Sequence, residues 1–152
     1  MTASTQIVTL RRQFVSLREW LARFPLSILQ AGMRFGVGAV FFNSGLLKYN
    51  SWEFAIKLFE EEYKVPLLDP TLAARLATFN ELTFSMLLFL GLATRLATLP
   101  LLAMVLVIQT LVYPNAWPDH LMWASMLLFI LTRGPGVFSL DFMIDEYFRK
   151  RD

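Results

Sequence analysis

The sequence predicts an all-α membrane protein, namely a bundle of four transmembrane helices with amphipathic helices at the membrane surface. Hydrophobic residues make up 56% of the 152 residues and charged residues only 17%, whereas about a quarter of an average soluble domain is charged. The apolar residues are concentrated in long runs, which is the signature of membrane spans. Helix-stopping sequences such as "RGPG", which begins at Arg133, separate these runs.

Three regions are predicted along the chain: a basic amphipathic segment at 1–25, a four-helix transmembrane domain at 26–133, and an amphipathic cytoplasmic segment at 134–152. In the first region, residues 7–24 place apolar side chains between arginines, a pattern suited to lie on an anionic lipid surface. A frayed, solvated tail is the alternative, since the apolar stripe is imperfect.

The four spans are expected at about 26–48, 70–92, 96–113 and 117–133. Asp69 is the predicted N-cap of the second span, with Pro70 as its first residue. The first connection contains "SWEFAIKLFEEEY", for which helical spacing predicts a short interfacial helix capped by Ser51. After the last span, Ser139 is the predicted N-cap of another amphipathic helix.

The orientation follows from the basic residues beside the spans, because cytoplasmic flanks carry the excess of Lys and Arg. Both terminal flanks are rich in arginine, whereas "PNAWPDH", between the third and fourth spans, contains neither Lys nor Arg. Acidic residues outnumber lysines in the first connection. Both termini are therefore predicted to lie in the cytoplasm.

Two charges interrupt the apolar runs, Arg34 in the first span and Glu81 in the second. An isolated arginine at the centre of a span costs about 2.5 kcal/mol or more. Counted from the cytoplasmic ends, Arg34 lies about 12 Å deep and Glu81 about 16 Å deep, so the two are predicted to form a buried ion pair. Asn80 and Gln109 are candidates to satisfy the remaining hydrogen bonds. The pair is either a structural clip or a polar centre that binds a head group or passes a proton.

A second candidate cluster lies at the outer mouth. Its members are polar or aromatic residues near the ends of the spans: Asn43, Lys48, Tyr113, Trp117, Asp119 and His120. Such a cluster offers the hydrogen-bond donors and aromatic walls that a quinone head group needs. Interfacial anchoring by Trp and Tyr is the other interpretation. One His and one Asp fall short of the three or four ligands of a metal site, so no metal is predicted.

The first span also contains Gly32 and Gly36, a G-x-x-x-G pattern that permits close approach of helices within the bundle or between copies.

Other functions are disfavoured by composition. The absence of cysteine excludes thiol redox chemistry and cysteine-ligated clusters, and no basic face indicates nucleic-acid binding. No cofactor is therefore predicted to be intrinsic, and a bound quinone is the one considered.

Several stretches together resemble the DoxX family of small bacterial membrane proteins: "RFGVGAVFFNSGLLK" (34–48), "LATFNEL" (76–82), "GLATRLATL" (91–99), "HLMWASMLL" (120–128) and "RGPGVFSLD" (133–141). The resemblance, closest to a proteobacterial subgroup, implies a multi-pass protein of the bacterial inner membrane. Some relatives are subunits of a thiosulfate:quinone oxidoreductase, and others accompany oxidative-stress enzymes or metal-chelating peptide production.

Three functions follow as expectations. The first is an accessory or anchor subunit of a redox or stress-response system, with a quinone or lipid head-group site around Arg34 and Glu81 and a partner protein subunit. The second is a small carrier or export accessory, for example for a metal-chelating peptide system. The third is a structural protein that forms homo-oligomers. The sequence assigns no catalytic residue, so the chain is at most a subunit of an enzyme.

Overall fold

A computed structural model describes residues 3–151, with side chains from residue 11 onward. The described residues form helices and no strand, which confirms the all-α class. The helices are α1 (Ala3–Ala22), α2 (Leu26–Asn50), α3 (Trp52–Lys57), α4 (Pro70–Leu90), α5 (Thr94–Val107), α6 (Trp117–Arg133) and α7 (Leu140–Arg149). Helix α3 continues as a π-helical segment at Leu58–Tyr63, and α5 continues as another at Ile108–Val112.

Four helices, α2, α4, α5 and α6, pack in a ring in which each contacts its two neighbours. Their shared core consists of apolar side chains: Val37, Phe41, Leu88, Ala97, Leu101, Val105, Leu127 and Ile130. One described helix, Thr94–Val112, is by itself long and apolar enough to cross a bilayer. The pair Arg11–Ala22 and Leu26–Asn50 also passes when taken together, with a bend of 59° between the two segments.

The ring has two ends, which we name after a buried cation at each. At the Lys48 end, α2 and α5 finish and α4 and α6 begin. At the Arg34 end, α2 and α5 begin, α4 and α6 finish, and α7 follows.

Local sequence explains most helix boundaries. Asp69 accepts a hydrogen bond from the backbone N–H of Leu72 at 3.1 Å, and Pro70 is the first helical residue of α4, as predicted. Ser139 caps α7 by accepting from the N–H of Phe142 at 3.2 Å, also as predicted. Ser51 precedes α3 but its side chain forms no capping bond, so that cap prediction is wrong. The backbone of Ser51 instead ends α2, since its N–H donates to the carbonyl of Leu47 four residues earlier.

Helix α1 confirms that the basic amphipathic segment is helical. Its described side chains, residues 11–22, are all exposed, including Phe14 at 72% and Trp20 at 68%. The side chains of Val8 and Leu10, also part of the predicted apolar stripe, lie outside the described residues. An exposed apolar stripe between arginines remains consistent with a lipid surface, which stays a prediction.

The Arg34 end is closed by the segment between α6 and α7. Asp141 accepts hydrogen bonds from the backbone N–H groups of Ala93 at 2.7 Å and Thr94 at 2.8 Å, so it caps the N-terminus of α5. Its own N–H donates to the carbonyl of Gly91 at 2.8 Å. From α2, Gln30 donates to the carbonyl of Gly134 at 3.1 Å. These bonds join α2 to the end of α6, and α7 to the end of α4 and the start of α5, at one end of the ring.

Candidate functional site

A buried ion pair joins α2 and α4 at the Lys48 end. The ammonium of Lys48 lies 2.9 Å from one carboxylate oxygen of Glu81 and 3.0 Å from the other. The two side chains are only 9% and 4% exposed. Ser44, one turn before Lys48, accepts from the ammonium at 2.8 Å and donates to the Glu81 carboxylate at 3.0 Å. All three ammonium protons therefore have acceptors, as a buried charge requires.

The backbone brings this pair together because Gly45 lies directly opposite Glu81. A Cβ at Gly45 would stand 2.9 Å from the Cβ of Glu81 and 2.9 Å from the Cγ of Leu82. Only the absence of a side chain at this position permits so close an approach of α2 to α4. The register then places Lys48, less than one turn further along α2, beside the carboxylate.

The predicted pair of Arg34 with Glu81 is wrong, because the same register separates the two residues. Arg34 lies opposite Gly91, where a Cβ would stand 2.0 Å from its Nη1, whereas Gly45 is the residue opposite Glu81. From Arg34 to Gly45 is about 16 Å along the helix axis. The depth estimate failed because it assumed that α2 and α4 end at the same level. In fact the first two turns of α2 extend past the end of α4.

Arg34 is instead part of the closed Arg34 end. It is 1% exposed, and its Nη2 donates to the backbone carbonyl of Phe138. Asp141 is the acidic residue that interacts with it electrostatically. Its Nε and Nη1 have no hydrogen-bond partner among the described residues. Arg34 therefore fastens the start of α7 to the ring and has no part in the polar centre at the other end.

A cavity of about 490 Å³ lies beside the Lys48–Glu81 pair. All four ring helices and the first connection contribute to its wall. Its apolar lining includes Val40, Phe41, Leu76, Ala77, Met104, Val107 and Trp123, and its polar lining consists of Ser44, Lys48, Tyr63, Asn80, Glu81, Tyr113 and His120. A volume of this size falls in the range of small-molecule sites, and apolar walls with a few polar groups are typical of them.

His120, on α6, is another polar residue of the cavity lining. It is 4% exposed, and its Nδ1 lies 2.6 Å from the Oε1 of Gln109. The Nε2 of Gln109 donates to the carbonyl of Pro114 at 2.7 Å, which fixes the amide so that its oxygen faces the imidazole. Nδ1 must then carry the proton, and in the neutral ring Nε2 is an acceptor. Gln109 thus fixes both the orientation and the tautomer of the imidazole of His120.

Asn80 lies next to Glu81 on α4 and contributes an amide to the cavity wall. Its Nδ2 donates to the carbonyl of Pro100 at 3.1 Å, so the amide orientation is fixed in turn. Its Oδ1 is buried and has no hydrogen-bond partner among the described residues. An unsatisfied acceptor of this kind costs about 1–3 kcal/mol.

Two tyrosines close the Lys48 end of the cavity. The Tyr113 hydroxyl donates to the carboxylate of Glu62, and the ring of Tyr63 packs edge-on against Tyr113 with centroids 5.8 Å apart. The hydrogen bond to Glu62, together with burial, raises the pKa of Tyr113 above its usual range, and burial raises the pKa of Tyr63. Both phenols therefore keep their protons at neutral pH.

The structure brings together five of the ten predicted site residues in the cavity lining: Lys48, Asn80, Glu81, Tyr113 and His120. Gln109 supports His120 from outside the lining. Arg34 belongs to the opposite end, and Asn43, Trp117 and Asp119 are exposed and do not line the cavity. Sequence reasoning missed Ser44, Glu62 and Tyr63. Ser44 had a signal, since it lies four residues before Lys48 on the same helix face.

The described residues form a bundle of packed helices with a cavity beside a buried ion pair, and one segment is long and apolar enough to cross a bilayer. Comparison with known families assigns the chain further: residues 29–114 match the DoxX family model, which is more than half of the chain. The chain belongs to the DoxX family. No curated protein and no solved structure matches it.

Proposed function

We propose that this DoxX protein binds an amphipathic, lipid-soluble molecule, a quinone or a lipid, with its head group beside Lys48 and Glu81. The observation that carries the proposal is the cavity, which combines apolar walls with a polar end of fixed geometry. A head group would contact the polar lining, and its tail would lie along the apolar wall. Binding sites of this composition bury most of a ligand's surface.

We further propose the topology in which this site operates. Helices α2, α4, α5 and α6 are the four spans of an inner-membrane protein, with both termini in the cytoplasm. The basic residues of α1 and of the chain end after α7 support this orientation, as does the absence of Lys and Arg from residues 113–120. The ligand site then lies towards the outer face, and the closed Arg34 end lies towards the cytoplasm.

Within this topology the chain serves as an accessory or anchor subunit of a redox or stress-response system. The cavity supports this role by offering a site for a lipid-soluble carrier beside a partner enzyme. The described lining contains acid, base and hydroxyl side chains but no thiol, so electron transfer would be carried out by the ligand and the partner subunit.

The test is extraction of the protein into polymer-bounded native nanodiscs, followed by mass spectrometry of the co-purified small molecules. We expect one lipid-soluble compound to be enriched over the bulk membrane. Ala77→Phe, which fills the cavity, should remove the enrichment. Leu96→Phe is the matched control, since Leu96 is 68% exposed and does not line the cavity. Equal composition in wild type and Ala77→Phe would contradict the proposal.

A structural, self-associating protein is the second candidate, because Gly32 and Gly36 are not used within the ring. A Cβ at either glycine would meet no atom within 4 Å. Asn43 lies on the same face of α2 and is exposed. In a lipid-facing helix, small residues and an amide on one face favour association of a second helix.

A further inference from the structure

Within the polar lining, the groups of the ion pair satisfy one another, and this restricts where a ligand head group can bind. The donors of Lys48 and Ser44 are in use: the ammonium of Lys48 donates to Ser44 and Glu81, and the hydroxyl of Ser44 donates to Glu81. The hydroxyl of Tyr113 donates to Glu62. A ligand carbonyl entering this end would have to displace one of these charge-assisted bonds, which are stronger than neutral ones.

The imidazole of His120, by contrast, has an open acceptor. Gln109 fixes the proton of His120 on Nδ1, so the neutral ring presents Nε2 as an acceptor. Nε2 has no hydrogen-bond partner among the described residues and is not fully buried, so it is accessible. Because Gln109 holds Nδ1 and does not line the cavity, whereas His120 does, we infer that Nε2 faces the cavity. The Oδ1 of Asn80 also has no partner among the described residues, but it is fully buried and is not open to a ligand in the cavity.

We propose that the head group of the ligand is a hydroxyl donor, such as a phenol or the reduced hydroquinone form of a quinone, and that Nε2 of His120 accepts its hydrogen bond. This inference rests on the proposed binding function and specifies the ligand class. The ring of Trp123, which also lines the cavity, packs against the imidazole of His120 at a ring-centroid distance of 5.2 Å. A hydroxyl suits this wall better than a carbonyl or an ether, because a hydroxyl donates and accepts at once.

His120 is thus a recognition residue, and Gln109 is its positioning residue. The arrangement reverses the expectation that this cluster supplies donors to quinone carbonyls. The sequence placed His120 in this cluster, and the hydrogen bond between Gln109 and Pro114 decides which role the imidazole plays.

The test compares two probes, 4-heptylphenol and 4-heptylanisole, which differ in whether the aromatic oxygen carries a proton or a methyl group. Their binding to the full-length protein in nanodiscs is measured by ligand NMR line broadening, relative to protein-free nanodiscs with the same lipid. We expect the phenol to bind about five- to tenfold more tightly than the ether, the ratio supplied by about one hydrogen bond. In His120→Phe, which keeps a ring but removes the acceptor, the two probes should bind equally.

The outcomes separate this inference from the function on which it rests. If the ether binds as well as the phenol to the wild-type protein, the donor assignment is overturned while the binding function stands. If neither probe binds and Ala77→Phe changes nothing, the binding function itself fails. A preference for phenol that persists unchanged in His120→Phe would remove His120 from the assignment. The wild-type comparison alone decides the ligand class should His120→Phe fail to fold.

Discussion

Glu81 on α4 and Lys48 on α2 are joined through both carboxylate oxygens, at 2.9 and 3.0 Å from a single ammonium group. The contact lies about 20 Å along α2 from Arg34. Two buried cations on one helix therefore have separate tasks. Lys48 neutralises the acid beside the cavity, whereas Arg34 secures the closed end where α7 begins.

The first prediction concerns the energy of the Lys48–Glu81 pair. Lys48→Met leaves the carboxylate buried without its cation, and Glu81→Gln leaves the ammonium without its anion. Each single change should lower the free energy of unfolding by about 3 kcal/mol, the usual cost of breaking a buried pair. The double variant should lose less than the sum of the two, because neither charge is then unpaired. Unfolding of the detergent-solubilised protein in increasing SDS measures all three.

Lys57→Met is the control for this series, because Lys57 is exposed on α3 and its substitution should change stability by less than about 0.5 kcal/mol. Additive losses in the double variant would show that Lys48 and Glu81 do not stabilise each other.

A second prediction tests the contact between Gly91 and Arg34. Gly91 has φ +65°, and a Cβ there would stand 2.0 Å from Nη1 of Arg34 and 2.5 Å from the Cβ of Ser139. Gly91→Ala should therefore displace the start of α7 and destabilise the protein by more than 1 kcal/mol. Hydrogen exchange at the amides of Asp141 and Phe142 should accelerate, since both are held by bonds at this end.

Gly32→Ala is the matched substitution, because Gly32 is helical and faces open space. It should stabilise α2 slightly, as alanine is the better helix former. Equal protection of the Asp141 amide in both variants would mean that Gly91 does not hold the Arg34 end together.

The third prediction addresses the proposed orientation and uses the absence of cysteine from the chain. Single cysteines replace Asn115, in the connection without basic residues, and Lys150, after α7. A membrane-impermeant maleimide should label Asn115→Cys in intact spheroplasts and Lys150→Cys only after lysis, because basic flanks stay in the cytoplasm. The cysteine-free wild type controls for background. Labelling of both cysteines in intact cells would exclude the four-span arrangement.

The fourth prediction concerns the exposed glycine face of α2. If copies associate there, Gly36→Leu should shift the protein towards the monomer, because a leucine prevents close approach of two backbones. Light scattering in detergent with correction for bound micelle measures the mass. Leu96→Phe alters an exposed position on α5 and should leave the mass unchanged. A wild-type protein that is already monomeric would rule out association through this face.

Local interactions let the sequence determine the elements of this fold. Asp69 and Ser139 cap the helices they were predicted to cap, because a cap depends only on a side chain and the next three backbone amides. The long apolar runs located the ring helices, because a helix must carry apolar residues on its buried face whichever helices it packs against. The residue types of the site were also visible, as polar groups within apolar runs stand out.

Tertiary structure alone decided which of these groups meet. The sequence predicted Arg34 as the partner of Glu81 and placed Lys48 only in the outer cluster, but the structure pairs Glu81 with Lys48. The choice depends on the register of two antiparallel helices, which is set by the close approach at Gly45 and by how far α2 extends past α4. The role of His120 likewise depends on the bond from Gln109 to Pro114. A sequence records the distance between residues along each helix, but the offset between helices results from packing, and that offset placed the ion pair at one end and the arginine at the other.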